Sequence, residues 1–175
     1  MRIDFSKAFL HFGFYALLSA MSVAQKQAPA PPAPIPAQIL AAKKVFVANG
    51  GVDGMAEDDP IFSGGSDRAY NQFYARVKDL GHFEIVGSPA EADLLLEIRQ
   101  EVLTVTLRGE VGRSDTPVFH LQIRDPKTNA LLWAFHLHFK FGGGQANSDR
   151  NFDQAVDRLV NDLRILVAPS PARVQ

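Results

Sequence analysis

PVFHLQIRDPKTNALLWAFHLHFKF, residues 117–141, decides how the chain is read. Two runs rich in aromatic and β-branched residues flank Pro126-Lys127-Thr128-Asn129, where proline presets a turn and asparagine tolerates positive φ. The pattern predicts an antiparallel hairpin. In its second arm Leu131, Trp133, Phe135, Leu137, Phe139 and Phe141 share one face, while Leu132, Ala134, His136, His138 and Lys140 share the other. In the first arm Phe119, Leu121 and Ile123 oppose His120, Gln122 and Arg124. A slip of one residue would put a large apolar set in water, so the two apolar sets lie on one side together. The histidines His120, His136 and His138 are expected on the other side, near enough to converge.

Working outward, DLLLEIRQEVLTVTL, residues 93–107, reads as a long strand whose parity changes. Leu94, Leu96 and Ile98 share one face, but Leu103, Val105 and Leu107 fall on the other, which predicts a bulge near Glu101 to Leu103. Ser88-Pro89-Ala90-Glu91 before it has the composition of a capping box on a single helical turn. HFEIV, residues 82–86, is a further strand. SDRAYNQFYARVKDLG, residues 66–81, is a helix with Tyr70, Phe73, Tyr74, Val77 and Leu80 as its stripe, Ser66 or Asp67 as cap and Gly81 as stop. KKVFVAN, residues 43–49, is a strand that should turn at Asn-Gly-Gly into a long loop over 49–65. After Gly142-Gly143-Gly144 a last helix is expected to open at Ser148 or Asp149. Phe152, Val156, Leu159, Val160, Leu163 and Leu166 form its stripe, and Pro169 stops it.

The order is therefore β-α-β-(short turn)-β-β-β-α. Two helical stripes match one apolar sheet face, so the expected fold is α/β in two layers: a mixed five-stranded sheet with two helices packed on one face. The strand–helix–strand unit implies parallel pairing of its two strands.

The first residues read differently. MRIDFSK carries Arg2 and Lys7, AFLHFGFYALLSAMSV is largely apolar, and Ser22-Val23-Ala24 offers small residues at a cleavage site. This is the layout of a secretory signal over 1–24, cleaved after Ala24, with an uncleaved membrane anchor as the alternative. The apolar run is shorter than the roughly 20 residues of a membrane-spanning helix. QKQAPAPPAPIPAQ, residues 25–38, reads as a proline- and alanine-rich spacer, 39–168 as one domain and 169–175 as a tail. The expected location is the periplasm or outside the cell.

With 175 residues the chain suits one domain, and 46% hydrophobic content supports a core. A net charge of −1 gives no basic excess for a nucleic acid. The absence of cysteine removes disulfides, thiol catalysis, thiolate metal sites and lipid attachment through cysteine.

The chemistry-bearing candidates are few. His120, His136 and His138 could together ligate a metal such as zinc. Lys140 and Arg124 stand beside them, and neither arm of the hairpin carries a carboxylate of the right parity to orient an imidazole. A solvated polar face is the simpler reading. The triple glycine and Gly64-Gly65-Ser66 each precede a helix, where a small anion or nucleotide could bind. Neither has the Lys-Ser/Thr of a P-loop, and both read as hinges. Asp53, Glu57, Asp58 and Asp59 make an acidic loop without EF-hand spacing. Glu97, Arg99 and Glu101 alternate along a strand as cross-strand pairs would. No catalytic constellation or cofactor motif is present.

KVFVAN, then AYNQFYARVKDLGHFEIVGSPAEADLLLEI, then FHLQIRDPKTNALLWAFHLHF and a closing amphipathic helix together resemble an exported α/β module. The type is that of the TolB N-terminal domain, the periplasmic part of the curli secretion protein CsgG, and the penicillin-binding-protein activator LpoB. The likeness rests on Gly81 to Val86, Ala92 to Leu94 and Asp125 to Trp133, and spans about residues 43–167. It implies a non-catalytic envelope domain that contacts another protein. The surfaces expected to make that contact are the histidine-bearing sheet face and the loop with Asn49, Gly50, Gly51, Asp53, Asp58 and Asp59. Membrane contact is expected only through an uncleaved signal.

Overall fold

A computed structural model describes residues 33–53, 62–106 and 113–168. The described residues from Pro34 on belong to one compact unit, which carries the fold. Residues 1–24, read as a signal, together with Asp58, Asp59 and the segment from 169, lie outside the described residues.

The elements are α1 (Ala37–Ala41), β1 (Lys44–Asp53), α2 (Arg68–Leu80), β2 (Glu84–Ile85), a 3-10 turn (Pro89–Glu91), β3 (Leu94–Thr106), β4 (Arg113–Arg124), β5 (Leu131–His138) and α3 (Gln145–Val167). The five strands form one sheet in the order β2-β1-β3-β4-β5. β1 runs parallel to β2 and β3, while β3, β4 and β5 pair antiparallel. This is the mixed sheet expected from the sequence, with one element added. α1 begins inside the segment read as a spacer, so the expected boundary at residue 38 falls within a helix whose Ile39 is buried in the core.

The core lies between the sheet and α2 and α3. Val45 and Val47, Leu94, Leu96 and Ile98, and Phe119, Leu121 and Ile123 meet Phe73, Val77, Phe152, Val156, Leu159 and Leu163. Phe152 is in ring contact with Phe62 and Phe119, both at 5.0 Å. The Arg68 guanidinium lies over the Phe152 ring at 4.4 Å and ion-pairs with Asp149 and Asp153, joining α2 to α3.

Several local expectations are corrected. The strand does not end at Asn49. β1 continues through Asn-Gly-Gly to Asp53 because β3 offers a long edge to pair with, and the extra residue is absorbed by a bulge between Asn49 and Val52. Gly50 passes so close that a Cβ there would sit 2.9 Å from the Ile98 carbonyl oxygen, and Gly51 has φ +80. The Asn49 side chain supports the bulge, its Oδ1 accepting from the Gly51 N–H at 2.9 Å.

The bulge expected in β3 is absent. β3 and β4 stay in one register from Leu95↔Arg124 to Thr106↔Arg113. Gln100 and Val102 continue the buried face, so the break in apolar parity is met by a buried glutamine. A bulge occurs instead in β5, where Leu131 pairs with Arg124 and Trp133 with Ile123. It leaves Leu131 53% exposed and lets Leu132 pack on the core.

On α2 the buried stripe is Ala69, Phe73 and Val77, and Tyr74 stands outside it. α3 starts at Gln145, three residues early, because the expected caps serve elsewhere. Ser148 Oγ accepts from the Gly142 N–H at 3.0 Å, and Asp149 accepts from the Ser63 N–H and hydroxyl. Gly81 in the left-handed region ends α2 as expected, and Asn129 takes φ 57 in the β4–β5 turn.

Candidate functional site

With both long helices on one face, the opposite face of the sheet carries polar side chains of β1, β3, β4 and β5 beside Phe46, Leu95 and the buried Val118. Register determines which of them meet. Arg99 pairs with His120 and His120 with His136, so three residues on three strands stand in one row. Glu101 lies one step along β3, diagonal to His120, and Asp53 at the end of β1 faces Glu101 across the parallel pair.

Side-chain contacts follow this grid. Asp53 is ion-paired with Arg99. His120 Nε2 lies 3.0 Å from Glu101 Oε2, and His120 Nδ1 lies 2.7 Å from His136 Nδ1. The two imidazoles meet edge to face, with centroids 4.8 Å apart. His120 Nε2 is buried, and Glu101 approaches it within ion-pair range without the alignment of a hydrogen bond.

These distances assign the protons. A lone pair on His120 Nε2 would face a carboxylate oxygen at 3.0 Å, so Nε2 carries the hydrogen. Nδ1 of His120 is then an acceptor and takes the hydrogen bond from His136 Nδ1–H. His136 is exposed. Burial, then the neighbouring His136, push the His120 pKa below its ordinary value, against the opposing pull of Glu101. His120 is accordingly the neutral centre of the row.

His138 does not join this group. It sits opposite Val118, one step further along β5. Among the described residues, no group of three or more histidine, aspartate or glutamate side chains is arranged to hold a metal ion. Asn49, Gly50, Gly51 and Asp53 belong to β1 and its bulge. Asn49 Nδ2 donates to Asp67 at 2.8 Å, which fastens the bulge to the start of α2.

Glu101 reads in the sequence as a cross-strand surface pair of β3, and its place beside the histidines of the hairpin emerges only in the fold. Its parity with Glu97 and Arg99 was visible; its register against β4 was not.

A separate cleft of about 410 Å3 at the other end of the sheet is lined in part by Gln38, Ala41, Asp93, Asp125 and Lys127. Two of its acids, Asp93 and Asp125, hold backbone N–H groups. Asp93 Oδ2 accepts the N–H groups of Lys43 and Lys44, both at 2.9 Å, and these bonds lower its pKa. Asp125 accepts the N–H of Lys127 at 2.7 Å and closes the β4–β5 turn, with its pKa lowered by that bond first.

Fold and surface together define a two-layer α/β domain with one helix-covered and one polar sheet face. No protein-family model matches the chain, and no curated protein matches it. Among solved structures it is similar to a Xanthomonas campestris protein of family DUF330, at 13% identity over 78% of this chain and 86% of that one, with a TM-score of 0.47. It is also similar to a lipoprotein from Neisseria meningitidis (12% identity, 70% of this chain and 99% of that one, TM-score 0.40). A hypothetical protein from Chlamydia trachomatis is a third (10% identity, 70% and 98%, TM-score 0.41). Likeness at this distance carries no argument about what the chain does. No helix among the described residues is long and apolar enough to cross a membrane.

Proposed function

We propose that this chain is an exported, non-catalytic domain of the bacterial envelope that works by docking another protein on the open face of its sheet. The observation that carries the reading is the row Asp53–Arg99 and Glu101–His120–His136, built across four strands on the face that neither long helix covers. Hydrogen-bonded imidazoles and paired charges on a rigid sheet suit recognition by complementarity, which gives specificity more than raw affinity. The exposed His136 imidazole is held by His120, and Arg99 and Glu101 offer charges of both signs. The signal layout over 1–24 supports export to the periplasm or beyond. The narrower likeness to TolB-, CsgG- or LpoB-type modules is supported by the Gly81 to Val86, Ala92 to Leu94 and Asp125 to Trp133 motifs.

The test is a photo-crosslinking amino acid placed at His136 or Arg99, against the same group at Lys78 on the outer side of α2. Adducts with one protein from the sheet-face positions only are expected. Equal adducts from both faces, or none, would refute the reading.

A further inference from the structure

We infer that the concave surface between the end of β5 and the outer flank of α3 binds a small anion of the phosphate or carboxylate class. The cavity holds about 250 Å3 and is lined by His138, Phe139, Lys140, Asn151, Gln154 and Arg158. No carboxylate lines it. His138, Lys140 and Arg158 form no ion pair with a described residue, so the residues that line this small space include two permanent cations and a histidine without a paired carboxylate.

The arrangement follows from how α3 sorts its charges. Asp149, Asp153 and Asp157 recur every four residues and are taken up by Arg68 and Arg76 of α2. Asn151, Gln154 and Arg158 recur at i, i+3 and i+7 and so form another stripe, turned to β5. Asp149, Asp153 and Asp157 are thus spent on one flank; on the other, amides and a guanidinium line the cavity, with Asp162, the fourth acid of α3, outside its lining.

The sheet edge adds main-chain donors. Phe139 N–H bonds to the Pro117 carbonyl at 3.0 Å. Alternation in an antiparallel ladder then turns the N–H groups of His138 and Lys140 away from β4, toward the open edge. The Lys140 carbonyl, the acceptor that would repel an anion there, is occupied by Asn151 Nδ2 at 2.9 Å.

Size narrows the ligand. Sites for drug-sized molecules hold roughly 300–1,000 Å3, so this one suits a phosphate group or a small carboxylate and is too small for a nucleotide. The adjoining cleft, of about 430 Å3, shares His138, Phe139 and Lys140 but adds Asp115, Thr116 and Phe141. Asp115 there accepts from Thr104 Oγ1 at 2.6 Å. Its carboxylate disfavours an anion and places the ligand on the α3 side of Lys140. Neither glycine-rich segment lines the site, so it is distinct from any helix-start site at those glycines.

The experiment titrates the full exported chain at low salt with inorganic phosphate and with citrate, followed by calorimetry and by amide NMR shifts. Binding is expected with shifts centred on 138–140 and 151–158. Lys140→Gln and Arg158→Gln should each weaken it about tenfold or more, as loss of one charge-assisted bond does. Both side chains are exposed, so the variants fold. Lys78→Gln on α2 should change affinity less than about twofold. Flotation with phosphatidylglycerol vesicles separates the sources: soluble anion binding alone indicates a free ligand, and flotation lost in Arg158→Gln indicates a lipid headgroup. No binding of either anion below about 10 mM, or unchanged affinity in both variants, overturns the assignment.

Discussion

Gly142→Ala offers a sharp test of how α3 is seated on the sheet. A Cβ at Gly142 would lie 2.4 Å from Asn147 Cβ, 2.5 Å from Asn147 C and 2.6 Å from Ser148 N. Carbon atoms in contact sit at about 3.5–4.0 Å, so the first turn of α3 must move by about 1 Å. Two of the three obstructing atoms are main chain, and no rotamer change relieves them. The shift would stretch the 3.0 Å bond from the Gly142 N–H to Ser148 Oγ and loosen Phe152 against Phe62 and Phe119. Overpacking of this kind costs about 1–3 kcal/mol and a weakened hydrogen bond about 1 kcal/mol more. Alanine returns roughly 0.4–1 kcal/mol by restricting the unfolded chain. The net expectation is a loss of about 2 kcal/mol, a fall in Tm of about 4–8 °C. Gly143→Ala is the control, because a Cβ there meets nothing within 4 Å. Thermal melts of both variants against the parent decide it. A Gly142→Ala protein that melts within a degree of the parent would refute the close seating of α3.

Other perturbations have signs fixed by the structure. Burial works to raise the Asp149 pKa, but the hydrogen bonds from Ser63 and Arg68 prevail and hold it at about 2, below its usual 3.8. Its contribution is full above pH 3.8 and lost as pH falls through about 2, so Asp149→Asn should flatten the loss of stability in urea melts between pH 4 and 2. The depressed His120 pKa means that the unfolded chain takes up a proton first as pH falls through 6.5, so stability declines below that pH. His120→Gln, with Arg99, Glu101 and His136 still facing it, should remove that decline in denaturant melts taken from pH 7.5 to 5. Gly51→Ala, at φ +80, should cost about 1 kcal/mol in the same assay, since only glycine adopts that conformation without strain.

Much of the fold is legible in residue alternation. Phe119, Leu121, Ile123 and Phe135 share a face as read, and the turn at Pro126 to Asn129 forms as its chemistry demands. What alternation misses depends on partners remote in sequence. Asn-Gly-Gly is a turn signal in isolation, yet here β3 supplies a long parallel edge and the glycines become a bulge. Leu103 off the expected face suggested a bulge in β3, whereas the ladder tolerates a buried Gln100 and runs on. Ser148 and Asp149 look like helix caps but bond to Gly142 and Ser63 instead. Of the three histidines grouped by parity, His120 and His136 meet because they are cross-strand partners, and His138 lies one step beyond. Glu101 joins them through a register that a single sequence does not disclose. The stripe of Asn151, Gln154 and Arg158 was readable as helical spacing, but its cation partners on β5 were not.

The central claim is that the polar sheet face, and not the helical face, is where this protein meets another. Crosslinking from His136 in cells that export the chain addresses it most directly. The account predicts one dominant protein adduct from His136, abolished by Arg99→Glu, with none from Lys78 on α2. Adducts of equal strength from Lys78, or a His136 adduct indifferent to Arg99→Glu, would contradict it.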